Sequence, residues 1–258
     1  MHPFSPSELR ENFSLESALD KGLLPLVFSS SQPDEVLRSY IGLYMKEEIL
    51  AEGLVRNIGN FSRFLETVSF SHGSILNTSN VARESGVERK TVEGYLSVLE
   101  DLLLSFYVPV FTKKAKRDLI AHKKFYFFDT GVYVSLRPQG ILDAPEEMRG
   151  PRLEGLVAQI LRAHLDYFHK DAKLYFWRTR SGLEVDFIIY GKKLFTAIEI
   201  KNSKNIRRED LKGLEAFLED YPQARAMFLY RGKDRLQKGK ILCLPVEDFL
   251  KSIDSFVN

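Results

Sequence analysis

The chain has 258 residues, of which 44% are hydrophobic and 28% charged, and its 19 Phe and 11 Tyr residues can fill a buried core. This composition excludes a disordered chain, and the single cysteine, Cys243, excludes an intramolecular disulfide and a cysteine-based zinc site. The longest apolar stretch, residues 102–111, is too short to span a bilayer, and the first residues lack the pattern of a secretory signal. We therefore expect a cytoplasmic protein with no membrane partner.

The net charge is only +2, but the charge is unevenly distributed along the chain. Residues 1–59 carry five basic and nine acidic side chains, residues 60–150 carry twelve and eleven, and residues 151–258 carry twenty and fifteen. The positive field that a nucleic-acid partner requires therefore lies away from the N-terminal segment.

Residues 1–59 predict a helical segment, not an independent domain. Apolar residues recur at helical spacing between about Pro33 and Leu54. Because the segment is short and acidic, we expect it to pack against another surface. That surface could belong to a separate ATPase or to a second copy of the chain.

Residues 60–137 predict a winged helix-turn-helix. A first amphipathic helix is followed by a short helix after the N-cap candidates 77–80, a turn at Gly86 and a longer helix from Arg89. Short helix, glycine turn and longer helix are the pattern of a DNA-reading helix-turn-helix.

Two aromatic and β-branched runs, 106–111 and 124–128, then predict a hairpin, which would be the wing. The loop between them contains six basic residues and one acid within residues 113–124, which suits contact with phosphates. In the wing and the longer helix, the predicted nucleic-acid contacts are Arg89, Lys90, Lys113, Lys114, Lys116, Arg117, Lys123 and Lys124.

Residues 138–150, rich in glycine, proline and acidic residues, predict a linker, and residues 151–258 alternate helix and strand as in a layered α/β domain. We expect strands over 174–177, 183–190, 194–201, 224–230 and 240–244, with helices before, between and after them.

The most specific chemical pattern is Asp186 in one predicted strand and Glu199 with Lys201 in the next, joined by a tight turn. Side chains alternate along a strand, so Glu199 and Lys201 share one face, and a short hairpin can bring Asp186 near them. Two carboxylates offer the hard oxygen ligands that Mg²⁺ or Mn²⁺ prefers, and Lys201 could act as a catalytic base or stabilise charge on a phosphate.

A simpler interpretation is a solvated strand face, or a salt bridge between Glu199 and Lys201. The neighbours of these residues are apolar on both faces, which indicates central buried strands where acids need a partner or a metal. Upstream, Glu154 could assist the site. Arg178 and Arg180, just before the Asp186 strand, are candidate phosphate contacts or a solvated strand edge.

The order Glu154, Asp186, Glu199-x-Lys201 resembles the PD-(D/E)XK nuclease superfamily. Residues from about 38 onward also resemble the C-terminal domain of unknown function of predicted prokaryotic AAA-family ATPases. The residues that carry this resemblance are 40–52, 80–82, 91–96, 124–132, 153–154, 177–178, 184–187 and 199–201. It implies an α/β (α+β) fold in which residues 1–59 are an ATPase remnant, 60–137 a winged helix and 151–258 a restriction-endonuclease-like mixed sheet flanked by helices.

These 258 residues contain no Gly-x-x-x-x-Gly-Lys-Ser/Thr phosphate cradle, so we expect no ATP as cofactor and no ATPase activity. The first functional hypothesis is a Mg²⁺- or Mn²⁺-dependent DNA endonuclease, with Asp186 and Glu199 as metal ligands. The alternatives are a DNA-binding or regulatory module without catalysis, and a protein-interaction module derived from an AAA-family ATPase.

Overall fold

The computed structural model describes residues 2–45, 49, 55, 57–140 and 145–257, and its fold is a mixed α/β arrangement of the α+β type, as predicted. Within these ranges no helix is both long enough and apolar enough to cross a membrane. The helices are α1 Pro6–Leu9, α2 Leu15–Lys21, α3 Pro25–Phe28, α4 Pro33–Ser39, α5 Ile58–Ser69, α6 Thr78–Ser85, α7 Arg89–Asp101, α8 Thr130–Leu136, α9 Pro145–Phe168, α10 Lys212–Asp220, α11 Val246–Lys251 and α12 Ile253–Phe256. The strands are β1 Ser74–Ile75, β2 Ser105–Val108, β3 Lys124–Phe127, β4 Lys173–Arg178, β5 Glu184–Tyr190, β6 Phe195–Ile200, β7 Arg225–Tyr230, β8 Leu236–Lys238 and β9 Ile241–Pro245.

The chain divides into two compact units. The first unit contains residues 1–4, 14–107 and 124–156, and the second contains residues 5–13, 108–123 and 157–258. Both units are therefore built from chain segments that are distant in sequence.

The first unit contains the predicted helix-turn-helix. Asn77 caps α6 by accepting a hydrogen bond from the backbone N–H of Asn80 at 3.1 Å, and α6 ends at Gly86, whose φ of 65° allows the sharp turn into α7. The apolar stripe of α7 packs against α5, with the ring of Tyr95 5.1 Å from Phe61 and 5.3 Å from Phe64. The sheet of this unit has the strand order β1-β3-β2.

A buried carboxylate, that of Asp129, fixes α8 in the first unit. One oxygen accepts hydrogen bonds from the backbone N–H groups of Gly131 and Val132 at the start of α8, at 2.8 and 3.2 Å. The other accepts from the N–H of Leu23 at 2.8 Å, directly after α2. Asp129 is fully buried, so it both caps a helix and ties the N-terminal segment to it.

Two predicted boundaries lie partly outside the described residues. The helical run expected over 33–54 begins as α4 and continues as a π-helical segment, Tyr40–Met45, beyond which 46–48, 50–54 and 56 are outside the described ranges. The linker expected over 138–150 is only partly irregular, because α9 begins at Pro145 and contains Pro151; residues 141–144 are outside the described ranges.

The second unit is built on a six-stranded sheet in the order β4-β5-β6-β7-β9-β8. The β4, β5 and β6 strands pair antiparallel, β6, β7 and β9 pair parallel, and β8 closes the far edge antiparallel to β9. Trp177, Phe217 and Phe228 are completely buried in its core, where α10 packs on β5 and β6.

The loop expected to form the tip of a wing, residues 109–123, belongs to the second unit. Phe111 N–H donates to the carbonyl of Phe176 at 2.7 Å, and Ile120 N–H donates to that of Arg178 at 3.3 Å. Isolated bridges join Val110 to Phe176 and Leu119 to Thr179. The wing stays a prediction: β2 and β3 are neighbours in their sheet, and the backbone of the loop between them covers the otherwise open edge of β4.

We predict that Asp129→Ala lowers the free energy of unfolding by about 3 kcal/mol, because three backbone N–H groups lose their acceptor in a buried position. Asp129→Asn, which keeps one acceptor oxygen, should lose about half as much. Urea unfolding followed by circular dichroism measures both. Asp101→Ala, an exposed position in the same unit, is the control and should change stability little. Equal stability of Asp129→Ala and the wild-type protein would contradict this role.

Candidate functional site

Asp186 and Glu199 come together in the second unit, at the point where the β5–β6 ladder ends. The last paired residues of that ladder are Phe187 and Ile198, so Asp186 and Glu199 are the next pair in the same register. Here the carboxylates replace backbone acceptors. Ile200 N–H donates to Asp186 Oδ2 at 2.8 Å, and Asp186 N–H donates to Glu199 Oε2 at 3.3 Å. We call this arrangement the carboxylate fork.

The carboxylate fork is buried. Asp186 is 8% and Glu199 6% exposed, as expected from the apolar residues that flank both. Two buried carboxylates repel each other and are poorly solvated, so positive charge nearby stabilises them. The ordinary solvated strand face considered from the sequence is therefore excluded.

Lys201 supplies positive charge to the fork, with its Nζ 3.2 Å from Glu199 Oε1. Burial by itself would lower the pKa of Lys201, but the charges of Glu199 and Asp186 together outweigh that effect and raise it. The sequence did not indicate Asp210, whose charge adds to the same rise. Lys201 is thus a cation at neutral pH, which suits charge stabilisation and not the role of a general base.

The donor set of the fork fits a small divalent cation. Asp186 and Glu199 bring two carboxylates side by side, and carboxylate oxygens are the preferred ligands of Mg²⁺. Among the described residues, no group of three or more His, Cys, Asp and Glu side chains is arranged to hold a metal ion. A metal here would be held by Asp186 and Glu199 and would keep several water ligands, which is usual for Mg²⁺.

The two candidate arginines of the β4–β5 hairpin lie at the same end of the sheet as the fork. Arg178 is opposite Glu184 in the register and forms a salt bridge with it at 3.3 Å, two residues before Asp186. Arg180 is mostly exposed and 3.8 Å from the exposed Asp118. Both guanidinium groups have acidic neighbours, but these ion pairs are partly or fully solvated. Replacing the carboxylate with a phosphate would therefore cost little free energy.

Acidic side chains lie beside the candidate phosphate-binding cations of the helix-turn-helix. Arg89 forms a salt bridge with Glu93 at 2.9 Å, and Lys90 is exposed beside it. Further along α7, Glu100 and Asp101 are also exposed. The exposed face of α7 is therefore at least as acidic as it is basic, which disfavours docking on DNA phosphates.

In the loop of residues 109–123, which we call the basic loop, Lys113, Lys114, Lys116 and Lys123 are exposed. Arg117 is different, since it forms salt bridges with Glu219 at 2.8 Å and Asp220 at 2.9 Å and so helps to fix the loop.

Lys124 and Glu154, both predicted site residues, belong to the first unit and contact each other. Lys124 is 2% exposed, and its Nζ lies 2.9 Å from Glu154 Oε1, which also accepts the hydroxyl of Tyr126 at 2.6 Å. The burial and pairing of its ammonium group disfavour a contact between Lys124 and nucleic acid, which stays a prediction. The structure places Glu154 in this pair, and an assisting role at the fork remains a prediction.

Next to this pair lies His72, a functional candidate that the sequence did not reveal. Its ring stacks on that of Tyr133, with 4.0 Å between the ring centres, and its Nδ1 accepts a hydrogen bond from the N–H of Phe127 at 3.1 Å. A Cβ at position 155 would overlap Nε2, so this position in α9 requires a glycine. Within the described part of the chain Nε2 has no hydrogen-bond partner. Burial lowers the pKa of His72 to about 3.

Two family models match the chain. One, described as a domain of unknown function (DUF8612), matches residues 12–143, slightly more than half of the chain. The other, described as a domain of unknown function (DUF4143), matches residues 149–249, which include the carboxylate fork and Glu154. No curated protein matches the chain.

We predict that acid destabilises the first unit through His72. The folded-state pKa is about 3 and the unfolded value is 6.5, so the unfolded chain binds the extra proton between these values. The stabilising contribution is complete above pH 6.5 and declines as the pH falls toward 3. Between roughly pH 7 and pH 5 the loss should be about 2 kcal/mol.

The measurement is urea unfolding at both pH values, for the wild-type protein and for His72→Gln, whose amide can still accept from Phe127 N–H. The variant should lack this share of the pH dependence. Identical slopes for the two proteins would show that His72 does not carry it.

Proposed function

The chain belongs to the DUF8612 family of domains of unknown function, and we propose that it hydrolyses phosphodiester bonds in DNA with the aid of Mg²⁺ or Mn²⁺. The carboxylate fork of the second unit would be the catalytic centre. The observation that supports this most is the burial of two adjacent carboxylates, one of which contacts the ammonium group of Lys201.

A purely structural role explains the fork less well. The two carboxylates accept the N–H groups of Asp186 and Ile200, but ordinary continuation of the β-ladder would satisfy such groups without burying any charge. Burial of charge is unfavourable by several kcal/mol unless it is compensated, and a divalent cation bound beside Lys201 would compensate it.

When bound, the metal would lower the pKa of a coordinated water and neutralise charge on the phosphoryl oxygens. Asp186 and Glu199 would hold and orient it, because each carboxylate is already fixed by a backbone N–H. Lys201, kept protonated by its acidic neighbours, would stabilise the negative charge that develops on the phosphate. Arg178 and Arg180 would contact the flanking phosphates.

The DUF4143 match over residues 149–249 supports the finer resemblance, to the C-terminal region of prokaryotic AAA-family ATPases. On this interpretation a nucleotide-hydrolysing partner would bring the nuclease-like unit to its substrate, and residues 1–59 would be the contact segment.

The acidic face of α7 favours a second candidate function, in which the helix-turn-helix binds a protein and not DNA. Glu93 neutralises Arg89, and Glu100 and Asp101 remain exposed. A protein-interaction module without catalysis would use this face and leave the fork unused.

We predict that the wild-type protein cleaves a supercoiled plasmid in Mn²⁺ or Mg²⁺ but not in EDTA. Asp186→Asn and Glu199→Gln should each reduce the rate at least about a hundredfold, and Lys201→Met by about tenfold to a hundredfold, because they remove metal ligands or charge stabilisation. Glu247→Gln, an exposed acid on α11, is the control and should cleave normally. Cleavage that persists in Asp186→Asn would come from a contaminant or another site and would contradict the proposal.

A further inference from the structure

The basic loop and the β4–β5 hairpin enclose a second positively charged feature of the second unit. It is a cleft of about 320 Å³, formed where β4 begins and β5 ends. It is lined by Lys113, Asp171, Lys173, Tyr175, Tyr190 and Lys192, with Gly191 at the turn. We call it the lysine cleft.

The charge of the lysine cleft is strongly positive. In the described part of the chain, no carboxylate lies within salt-bridge distance of the ammonium groups of Lys113, Lys173 or Lys192. The single acid, Asp171, accepts the backbone N–H of Lys192 at 3.2 Å. Three ammonium groups against one carboxylate favour an anionic ligand, and several cations in one concave surface suit a phosphate better than a lone carboxylate.

The cleft is held in place before any ligand binds. Lys113 is fixed because its carbonyl accepts the hydroxyl of Tyr221 at 3.0 Å, and its Nζ lies 4.4 Å from the centre of the Tyr190 ring. The turn is fixed because Gly191 packs so closely on Ala172 that a Cβ there would be 2.7 Å from the Ala172 Cβ. A binding site that is already formed loses less entropy on binding.

The lysine cleft is connected to the carboxylate fork by β5 and by the basic loop. Tyr190 and Asp186 are four residues apart on β5, about 13 Å at roughly 3.3 Å per residue. The basic loop runs along the edge of β4, where Phe111 N–H donates to Phe176 and Ile120 N–H donates to Arg178. Lys114 and Lys116 are exposed on this loop, between its two contacts with β4.

We propose that the lysine cleft binds a phosphate of the nucleic-acid backbone, several nucleotides away from the phosphate at the carboxylate fork. This inference rests on the proposed function for the identity of the substrate, but it concerns binding and not hydrolysis. At about 3.4 Å per nucleotide along one strand, 13 Å corresponds to about four nucleotides. Substrates shorter than this span cannot occupy both sites.

The experiment measures the affinity of a fluorescent 16-nucleotide single strand and of the matching duplex in EDTA, so that no cleavage occurs. The cleft variant carries Lys113→Gln, Lys173→Gln and Lys192→Gln. The control variant carries Lys233→Gln, Lys238→Gln and Lys240→Gln, which remove the same charge from exposed positions around the β8–β9 hairpin. Circular dichroism confirms that each variant is folded.

The proposal predicts that the cleft variant binds at least about tenfold more weakly and that its salt dependence is shallower by about one in log–log slope, as expected for the loss of one phosphate contact. The control variant should change affinity less than about twofold. A strand of three nucleotides, which can reach only one of the two sites, should bind the wild-type protein more weakly than the 16-nucleotide strand does.

Other outcomes would overturn the inference. Equal weakening in the two triple variants would show that only net charge matters, and unchanged affinity in the cleft variant would show that the cleft is not used. If inorganic phosphate displaces the 16-nucleotide strand at concentrations near the strand's own Kd, the cleft is a small-anion site. In each of these cases metal-dependent cleavage and its loss in Asp186→Asn still decide the proposed function separately.

Discussion

The reciprocal hydrogen bonds between Asp186, Glu199 and the backbone of β5 and β6 are the interaction on which the second unit's chemistry depends. The β5–β6 ladder stops at Phe187 and Ile198, and beyond it two carboxylates take the place of carbonyl acceptors. These hydrogen bonds hold two carboxylates in a buried position, and the ammonium group of Lys201 contacts one of them. A divalent cation would offset the cost of burying these charges, which is the physical reason to propose one there.

The edge of the same sheet explains where the loop between β2 and β3 packs. An open β4 strand would expose unpaired N–H and C=O groups, and the basic loop covers them through Phe111 and Ile120. Arg117 and Asp220 fix the loop further. The exposed lysines of this loop consequently belong to the unit that contains the carboxylate fork.

Much of this could be predicted from local sequence patterns. The glycine turn at Gly86 and the apolar stripe of α7 predict the helix-turn-helix, and alternation along β5 and β6 predicts that Asp186 approaches Glu199. These features depend on residues that are close in sequence or joined by a short turn. The carboxylate character of the site, its apolar surroundings and its lysine partner follow from the same patterns.

What could not be predicted depends on contacts between distant segments. The burial of Lys124 against Glu154 joins residues 30 positions apart, and the charge of a lysine gives no hint of it. The packing of residues 109–123 on β4 reflects an edge that only the assembled sheet reveals. His72 and Gly155 form another such contact, since an isolated histidine is indistinguishable in sequence from a surface one.

The central claim is that the carboxylate fork holds a divalent cation, and calorimetric titration of Mn²⁺ into the wild-type protein and Asp186→Asn tests it most directly. The account predicts one binding site in the wild-type protein and its loss, or a weakening of at least about tenfold, in Asp186→Asn, because one of two carboxylate ligands becomes neutral. Absence of Mn²⁺ binding by the wild-type protein, with or without a bound oligonucleotide, would contradict it. The carboxylates would then serve only as acceptors for the two backbone N–H groups where the β5–β6 ladder ends.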